Sequence, residues 1–160
     1  MRALVLRKPG QADLETIADP RLTDTNVLLK VRFVGFCGSD LNSFRGLNPL
    51  VSYPRILGHE ASATVIEDRG RDGGVLPAGT NVTISPYTSC GECSSCQRGR
   101  PNACRFNQTL GVQRDGALTE FLVMPRAKLY PAKLTLKGLC LVEPLTVGFH
   151  AVARGRVSKD

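Results

Sequence analysis

Four cysteines within one short segment constrain this chain more than any other feature. They fall at Cys90, Cys93, Cys96 and Cys104, in the stretch CGECSSCQRGRPNAC, with a C-x2-C-x2-C-x7-C spacing. Soft sulfur donors this close together can surround one tetrahedral ion, and a four-cysteine set is a common closed, structural zinc site. Gly91 and Gly99 let the backbone turn sharply enough to aim sulfurs inward. Arg98, Arg100 and Arg105 would offset the surplus negative charge of an ion held by four thiolates. The stretch has few large apolar residues, so metal binding would have to supply much of its folding energy.

Two other uses of these cysteines compete. Disulfides are one, but such crowding in a chain expected to be cytosolic favours metal. An iron–sulfur cluster is the other, since C-x2-C-x2-C also opens ferredoxin motifs. Those continue with a shorter gap and Cys-Pro, whereas here seven residues intervene and Arg105 follows Cys104. A nucleic-acid zinc ribbon needs two separated C-x2-C knuckles, which this pattern lacks. Zinc is the favoured reading, with a lobe spanning residues 88–106.

The remainder of the 160 residues suits one domain of mainly β character with a few short helices. Sixteen Gly and ten Pro cut the chain into short segments. Met1–Arg7, Asn26–Phe36, Ser62–Glu67, Asn81–Ser85, Ala117–Met124 and Lys128–Tyr130 read as strands, rich in β-branched residues and partly alternating. In the second of these, Val27, Leu29, Val31 and Phe33 would share one face, with Lys30 and Arg32 pointing the other way. RGRDGG at 69–74 and Pro77–Gly79 read as turns. After Glu143, Pro144 suits the first position of a helix, and Leu145, Gly148, Phe149 and Val152 would line one face of it.

Composition narrows the class of partner. Twenty-one Lys and Arg against fourteen Asp and Glu give a net charge of +7, compatible with an acidic or phosphorylated ligand. The basic residues are scattered and aromatics are only 6%, which argues against a nucleic-acid surface. Apolar runs such as Val27–Leu29 fall far short of the roughly 20 residues a membrane span requires. Lys8, Pro9 and Gly10 interrupt the first apolar run before it could serve as a signal peptide, so a cytoplasmic protein is expected.

A second group of donors is spread along the chain. Gly35-Phe-Cys37-Gly-Ser-Asp40 and Gly58-His59-Glu60 together offer a thiolate, an imidazole and one or two carboxylates, each flanked by glycine. Taken singly, Cys37 after a strand reads as core and His59 as a hydrogen-bonded structural residue. Taken together, they could make a three-ligand zinc site with one position left for water or substrate. Sharing an ion demands that the Cys37 sulfur and the His59 imidazole lie within about 6 Å of each other. Phe36 or Phe44 could line the pocket; Cys140, between two leucines, reads as a small buried hydrophobe and His150 as a structural helix residue.

GFCGSD, GHE after YPRIL, the four-cysteine stretch, DGALTEFLVMP and VEPLTVGFHAV follow one another in the order found in the zinc-containing medium-chain alcohol dehydrogenases. The resemblance covers nearly the whole chain. Ser52–Arg55 and Glu143–Pro144 make it most similar to the polyol and sugar-acid branch, the sorbitol, galactitol-phosphate and galactonate type of dehydrogenase. It implies a GroES-like, partly open β-barrel at residues 1–150 with a small zinc lobe. Residues 151–160 would begin a linker to a nucleotide-binding domain that lies outside this sequence. It also implies two zinc ions, NAD or NADP held by that other domain, and a homo-oligomer in the full-length enzyme.

By the same resemblance, Cys37, His59, Glu60 and Glu143 would hold the catalytic zinc, with either glutamate as the inner ligand. Asp40 would accept the other N–H of His59 and fix its tautomer. Ser39 would pass on the substrate proton; its plainer role is the N-cap of a short helix at Asp40–Arg45. Zinc would act as a Lewis acid on a secondary alcohol of a polyol or sugar derivative, and a nicotinamide would receive the hydride. No G-x-G-x-x-G follows a strand here, so the chain alone is expected to bind zinc without turning over substrate. The alternative is a non-enzymatic zinc module with Cys90–Cys104 as its one site. Metal analysis should return two zinc ions per chain, and Cys37→Ser should lose one of them without unfolding; one ion per chain in the parent would favour the module.

Overall fold

In the computed structural model, residues 1–70 and 74–156 are described, and they form two antiparallel sheets with a few short helices. The first sheet pairs β1 (Arg2–Lys8) with β2 (Gln11–Thr16) on one side. On its other side β1 pairs with β4 (Arg55–Ile56). The second has the order β7-β3-β5-β6-β8, built from β3 (Asn26–Gly35), β5 (Glu60–Asp68), β6 (Asn81–Ile84), β7 (Phe121–Pro125) and β8 (Leu129–Pro131). The sheets do not merge into one closed barrel. The segment before β7 joins them, through an isolated bridge from Ala3 to Thr119 and the Leu4 N–H donating to the Leu118 carbonyl at 2.9 Å.

The main core lies against the five-stranded sheet. Val27, Leu29, Ala61, Ala63, Val65, Val82, Ile84, Met124 and Leu129 from its strands meet Leu110 and Ala117 from the following loops. Each large side chain buried there stabilises the fold by about 2 kcal/mol relative to exposure. The alternation expected along β3 holds for Val27 and Leu29 and then breaks. The register with β5 shifts between Val31 and Phe33, so Arg32 is extra. Phe33 is thereby turned out to solvent, and Val34 packs on the core instead. A bulge reverses which residues face inward, and periodicity alone does not announce it.

The α-helices are α1 (Gly38–Phe44), α2 (Ser94–Gln97) within the cysteine lobe, α3 (Leu136–Cys140) and α4 (Val142–Gly155). The last begins two residues earlier than the sequence suggests, with Leu141 as N-cap and Pro144 as its third residue. Proline is tolerated there for the same reason as at the first position, because first-turn N–H groups have no helical acceptor. Helix α4 also runs across the boundary expected at 150/151; residues 157–160 of the expected linker lie outside the described residues, as do 71–73 of the expected RGRDGG turn. Leu145, Phe149 and Val152 on α4 are exposed, Phe149 by 70%, and His150 is exposed as well, not packed.

Three glycines allow the chain to pass close to itself just before β5. Gly58 has φ of +93° and Gly111 has φ of +75°, both in the left-handed region. A Cβ on Gly111 would stand 2.8 Å from the Gly58 nitrogen, and one on Gly116 would strike the carbonyls of Leu57 and Gly58. The contact is stitched by Gly116 N–H to Ile56 O at 2.7 Å and Ala117 N–H to Gly58 O at 2.9 Å. Gly116→Ala should therefore destabilise the fold by about 2–3 kcal/mol in denaturant unfolding. Gly148→Ala on α4, where nothing lies within 4 Å of the added methyl, should be neutral or stabilising by about 0.5–1 kcal/mol.

Candidate metal centres and active site

The antiparallel pairing of β3 and β5 creates the first centre. Gly35, the last residue of β3, pairs with Glu60, the first of β5, so Cys37 just beyond one and His59 just before the other meet at the same end of the sheet. Donor atoms of Cys37, His59 and Glu60 all lie within 4.8 Å of one another, inside the limit set for a shared ion. A Cβ on Gly35 would collide with Glu60 Oε2, so glycine there leaves the carboxylate room to lie over the strand.

Asp40 clasps the two segments together. Its buried carboxylate accepts the Cys37 N–H at 2.9 Å through Oδ2 and the Gly58 N–H at 3.2 Å through Oδ1. The contact expected with His59 is different: Oδ1 stands 3.7 Å from Nδ1, too long for a hydrogen bond. The Nδ1 atom is buried without a hydrogen-bond partner. With Nδ1 turned to Asp40, Nε2 is the nitrogen left for an ion. The N-cap of α1 is Cys37, with Asp40 at the third position reaching back to it, so Ser39 is not the cap.

These side chains open on a cavity of about 430 Å³ that also takes in Ser39, Tyr87, Thr109, Glu143 and Val147. Ser39 thus shares the cavity with the donors. Glu143, the second residue of α4, is buried and lines the cavity too, but it is not among the donors within 4.8 Å of one another. Its Oε1 accepts the Tyr87 hydroxyl proton at 2.9 Å. Burial, that hydrogen bond and the nearby charges of Glu143 and Cys37 push the Tyr87 phenol up to about 12, so it remains a donor.

Sequence reasoning missed Tyr87, because nothing local to residue 87 signals a partner on a distant helix. It also undervalued Cys140, whose thiol donates to the Glu60 carbonyl at 3.2 Å and supports that residue from beneath. Phe36 and Phe44 line a neighbouring apolar groove of about 500 Å³ that shares Cys37 and Asp40 with the site, and they do not face His59 or Glu60.

The second centre is the cysteine lobe. Between Tyr87 and Thr109 the one buried residue is Cys104, so the lobe has no apolar core. The sulfurs of Cys90, Cys93, Cys96 and Cys104 all lie within 4.8 Å of one another, and none of the six cysteines is in a disulfide. Cys104 Sγ is 3.6 Å from Cys90 Sγ and 3.9 Å from Cys93 Sγ. A tetrahedral ion with bonds of 2.3 Å sets its sulfurs about 3.8 Å apart, so the spacing fits. Backbone N–H groups of Cys96 and Arg105 pull the Cys93 thiol down to about 6, and the Cys90 N–H lowers Cys104. Burial and the adjacent sulfurs raise Cys96 to about 12, a proton that a bound cation would expel. Thr88 fastens the neck through bonds to Asn107 and Gln108 at 2.9 and 2.7 Å.

Residues 23–134 match the profile of the alcohol dehydrogenase GroES-like domain. The chain belongs to that family. It is 41% identical over 157 residues to an uncharacterized zinc-type alcohol dehydrogenase-like protein of Haemophilus influenzae, covering 96% of this chain and 46% of that protein. It is 33% identical to the L-galactonate-5-dehydrogenase of Escherichia coli, covering 99% and 46% of the two chains. Galactitol-1-phosphate dehydrogenase from E. coli superposes with a TM-score of 0.88 at 28% identity, covering 98% of this chain and 45% of that one. The rspB alcohol dehydrogenase of E. coli CFT073, solved with NADH, superposes with a TM-score of 0.89 at 30% identity, covering 100% and 47%. The chain therefore spans about half the length of these relatives. No described helix is long and apolar enough to cross a membrane.

Asp40→Asn should weaken zinc binding at the Cys37 centre by about 10- to 100-fold, since one side chain positions two ligand-bearing segments. Chelator competition should show that loss while the lobe keeps its ion.

Proposed function

We propose that this chain is the metal-binding, substrate-side domain of a zinc-dependent dehydrogenase that oxidises a secondary alcohol of a polyol or sugar derivative with NAD(P). The observation that carries this reading is the gathering of a thiolate, an imidazole and a carboxylate on one cavity, apart from a closed four-cysteine lobe, in a member of the alcohol dehydrogenase GroES-like family. A one-site zinc module has no use for the first cluster.

Cys37, His59 and Glu60 would hold the catalytic zinc, which when bound supplies Lewis acidity toward a substrate oxygen. Cys90, Cys93, Cys96 and Cys104 would hold the second ion as a fold-supporting site. Asp40 keeps the ligand segments in place. Ser39, on the cavity wall, takes the hydroxyl proton of the substrate toward solvent. The cavity is polar around the donors and apolar toward Val112 and Val147, which suits a hydroxylated carbon chain. The nicotinamide dinucleotide is held by a part of the enzyme outside these residues; the names of relatives solved with NADH and NADP support that cofactor class. The exposed apolar strip on α4 supports a covering domain at that end.

The cobalt-substituted chain should change its visible spectrum when titrated with sorbitol or galactonate, and Cys37→Ser should abolish the response. An unaltered spectrum at saturating levels of both would sink the polyol assignment. With zinc bound, the 160-residue chain should show no reduction of NAD or NADP by these substrates; a zinc-dependent rate would overturn the division of labour.

A further inference from the structure

We propose that Tyr87 is a positioning residue through which the cysteine lobe steadies Glu143 beside the Cys37–His59–Glu60 donors, so that filling the lobe strengthens metal binding at the open centre. The proposal rests on the reading that those three side chains share a metal. It adds a coupling between two centres that the cysteine spacing alone would leave independent.

The chain enters and leaves the lobe along the wall of the donor cavity. Tyr87, just before the lobe, and Thr109, just beyond it, both line that cavity. The two sides of the neck are bonded to each other. Leu110 N–H donates to the Pro86 carbonyl at 3.0 Å, Thr88 N–H to Asn107 Oδ1 at 2.9 Å, and Gln108 N–H to Thr88 Oγ1 at 2.7 Å. Asn107 in turn donates from Nδ2 to Thr109 Oγ1 at 3.2 Å. From this neck the Tyr87 hydroxyl donates to Glu143 Oε1 at 2.9 Å. Among the described residues Glu143 Oε2 takes part in no hydrogen bond, so it is the carboxylate atom available to the ion, directly or through a water.

Packing alone does not hold Tyr87. The residue is 45% exposed, so the place of its hydroxyl follows from the backbone at the neck. The neck in turn closes on a lobe whose order comes from sulfur and from N–H groups directed at sulfur. An ion that ties Cys90 to Cys104 draws the two sides of the neck together and leaves the phenol less freedom. Glu143 then keeps a donor on Oε1 while Oε2 serves the ion, an outer contact of the kind that orients a metal ligand.

With the lobe empty, the neck opens more often and the phenol is lost from the carboxylate for part of the time. The buried Glu143 is then less well oriented, and the ion at the open centre is held less tightly. Coupling between two sites is reciprocal, so an ion at the open centre raises the lobe's affinity for its own by the same factor.

The test uses the chain with zinc in the lobe and Co²⁺ at the open centre, its affinity read by chelator competition and its ligand field by the visible spectrum. Tyr87→Phe should bind Co²⁺ about tenfold more weakly, with altered ligand-field bands. Cys93→Ser combined with Cys96→Ser, which empties the lobe, should weaken the open centre about five- to tenfold. All three substitutions together should do no worse than Tyr87→Phe alone, because both changes break one link. In a Glu143→Gln background, Tyr87→Phe should add nothing. An unchanged open centre in the lobe-emptied chain, with β3 and β5 amides still protected from exchange, would overturn the coupling. Losses that multiply when the variants are combined would overturn Tyr87 as its route, as would a Tyr87→Phe loss that persists in full beside Glu143→Gln. Should emptying the lobe unfold the sheets, Thr88→Val cuts the neck bond to Gln108 and leaves the cysteines in place. It should weaken Co²⁺ at the open centre about threefold with the lobe zinc retained, and an unchanged affinity there would equally overturn the coupling. A full metal load in Cys37→Ser would instead overturn the shared-metal reading beneath it.

Discussion

The pairing of β3 with β5 is the constraint on which the rest of the molecule depends. It runs through the middle of the larger sheet, contributes Val27, Leu29, Ala61, Ala63 and Val65 to the core, and ends with Gly35 opposite Glu60. Because side chains alternate across a strand, a slip of one residue would turn Glu60 to the opposite face and separate the two ligand-bearing loops. The same register that buries the core therefore brings chemistry to its edge. Asp40 then secures by two charge-assisted hydrogen bonds what the sheet has brought near.

The two candidate metal centres are built by opposite physical means. Around Cys37 the protein framework is complete before an ion is considered: strands, a glycine crossing and a buried carboxylate define where the donors stand. The lobe has almost no apolar interior, and its order depends on sulfur and on N–H groups directed at sulfur. A preformed pocket with few protein ligands suits exchange, and a wrapped loop with four suits permanence.

Much of this was legible in the amino-acid order. The cysteine spacing pointed to the lobe because four soft donors in one loop have few other uses, and the glycine-flanked Cys37 and His59 pointed to the candidate site, whose donors the fold brings within 4.8 Å of one another. Six strand segments were visible from their β-branched content, although β7 starts only at Phe121, and β2 and β4 carry too little pattern to be seen. The failures have common physical origins. The bulge that turns Phe33 outward depends on the partner strand, and a single strand does not encode it. The pairing of Tyr87 with Glu143 and the seat of Cys140 beneath Glu60 join residues far apart in the chain, and only the fold brings them together. Leu145, Phe149 and Val152 had the spacing of a buried helix face, yet in these residues that face meets water.

The neck at Thr88 and Gln108 carries a consequence for how such a domain can change over time. The polypeptide departs from the β-sheet body and rejoins it at nearly one point, with those two residues bonded side by side. Whatever is threaded between them is a cassette. It can be lengthened, shortened or exchanged without rerouting any strand, at only the slowly growing entropic cost of a longer closed loop.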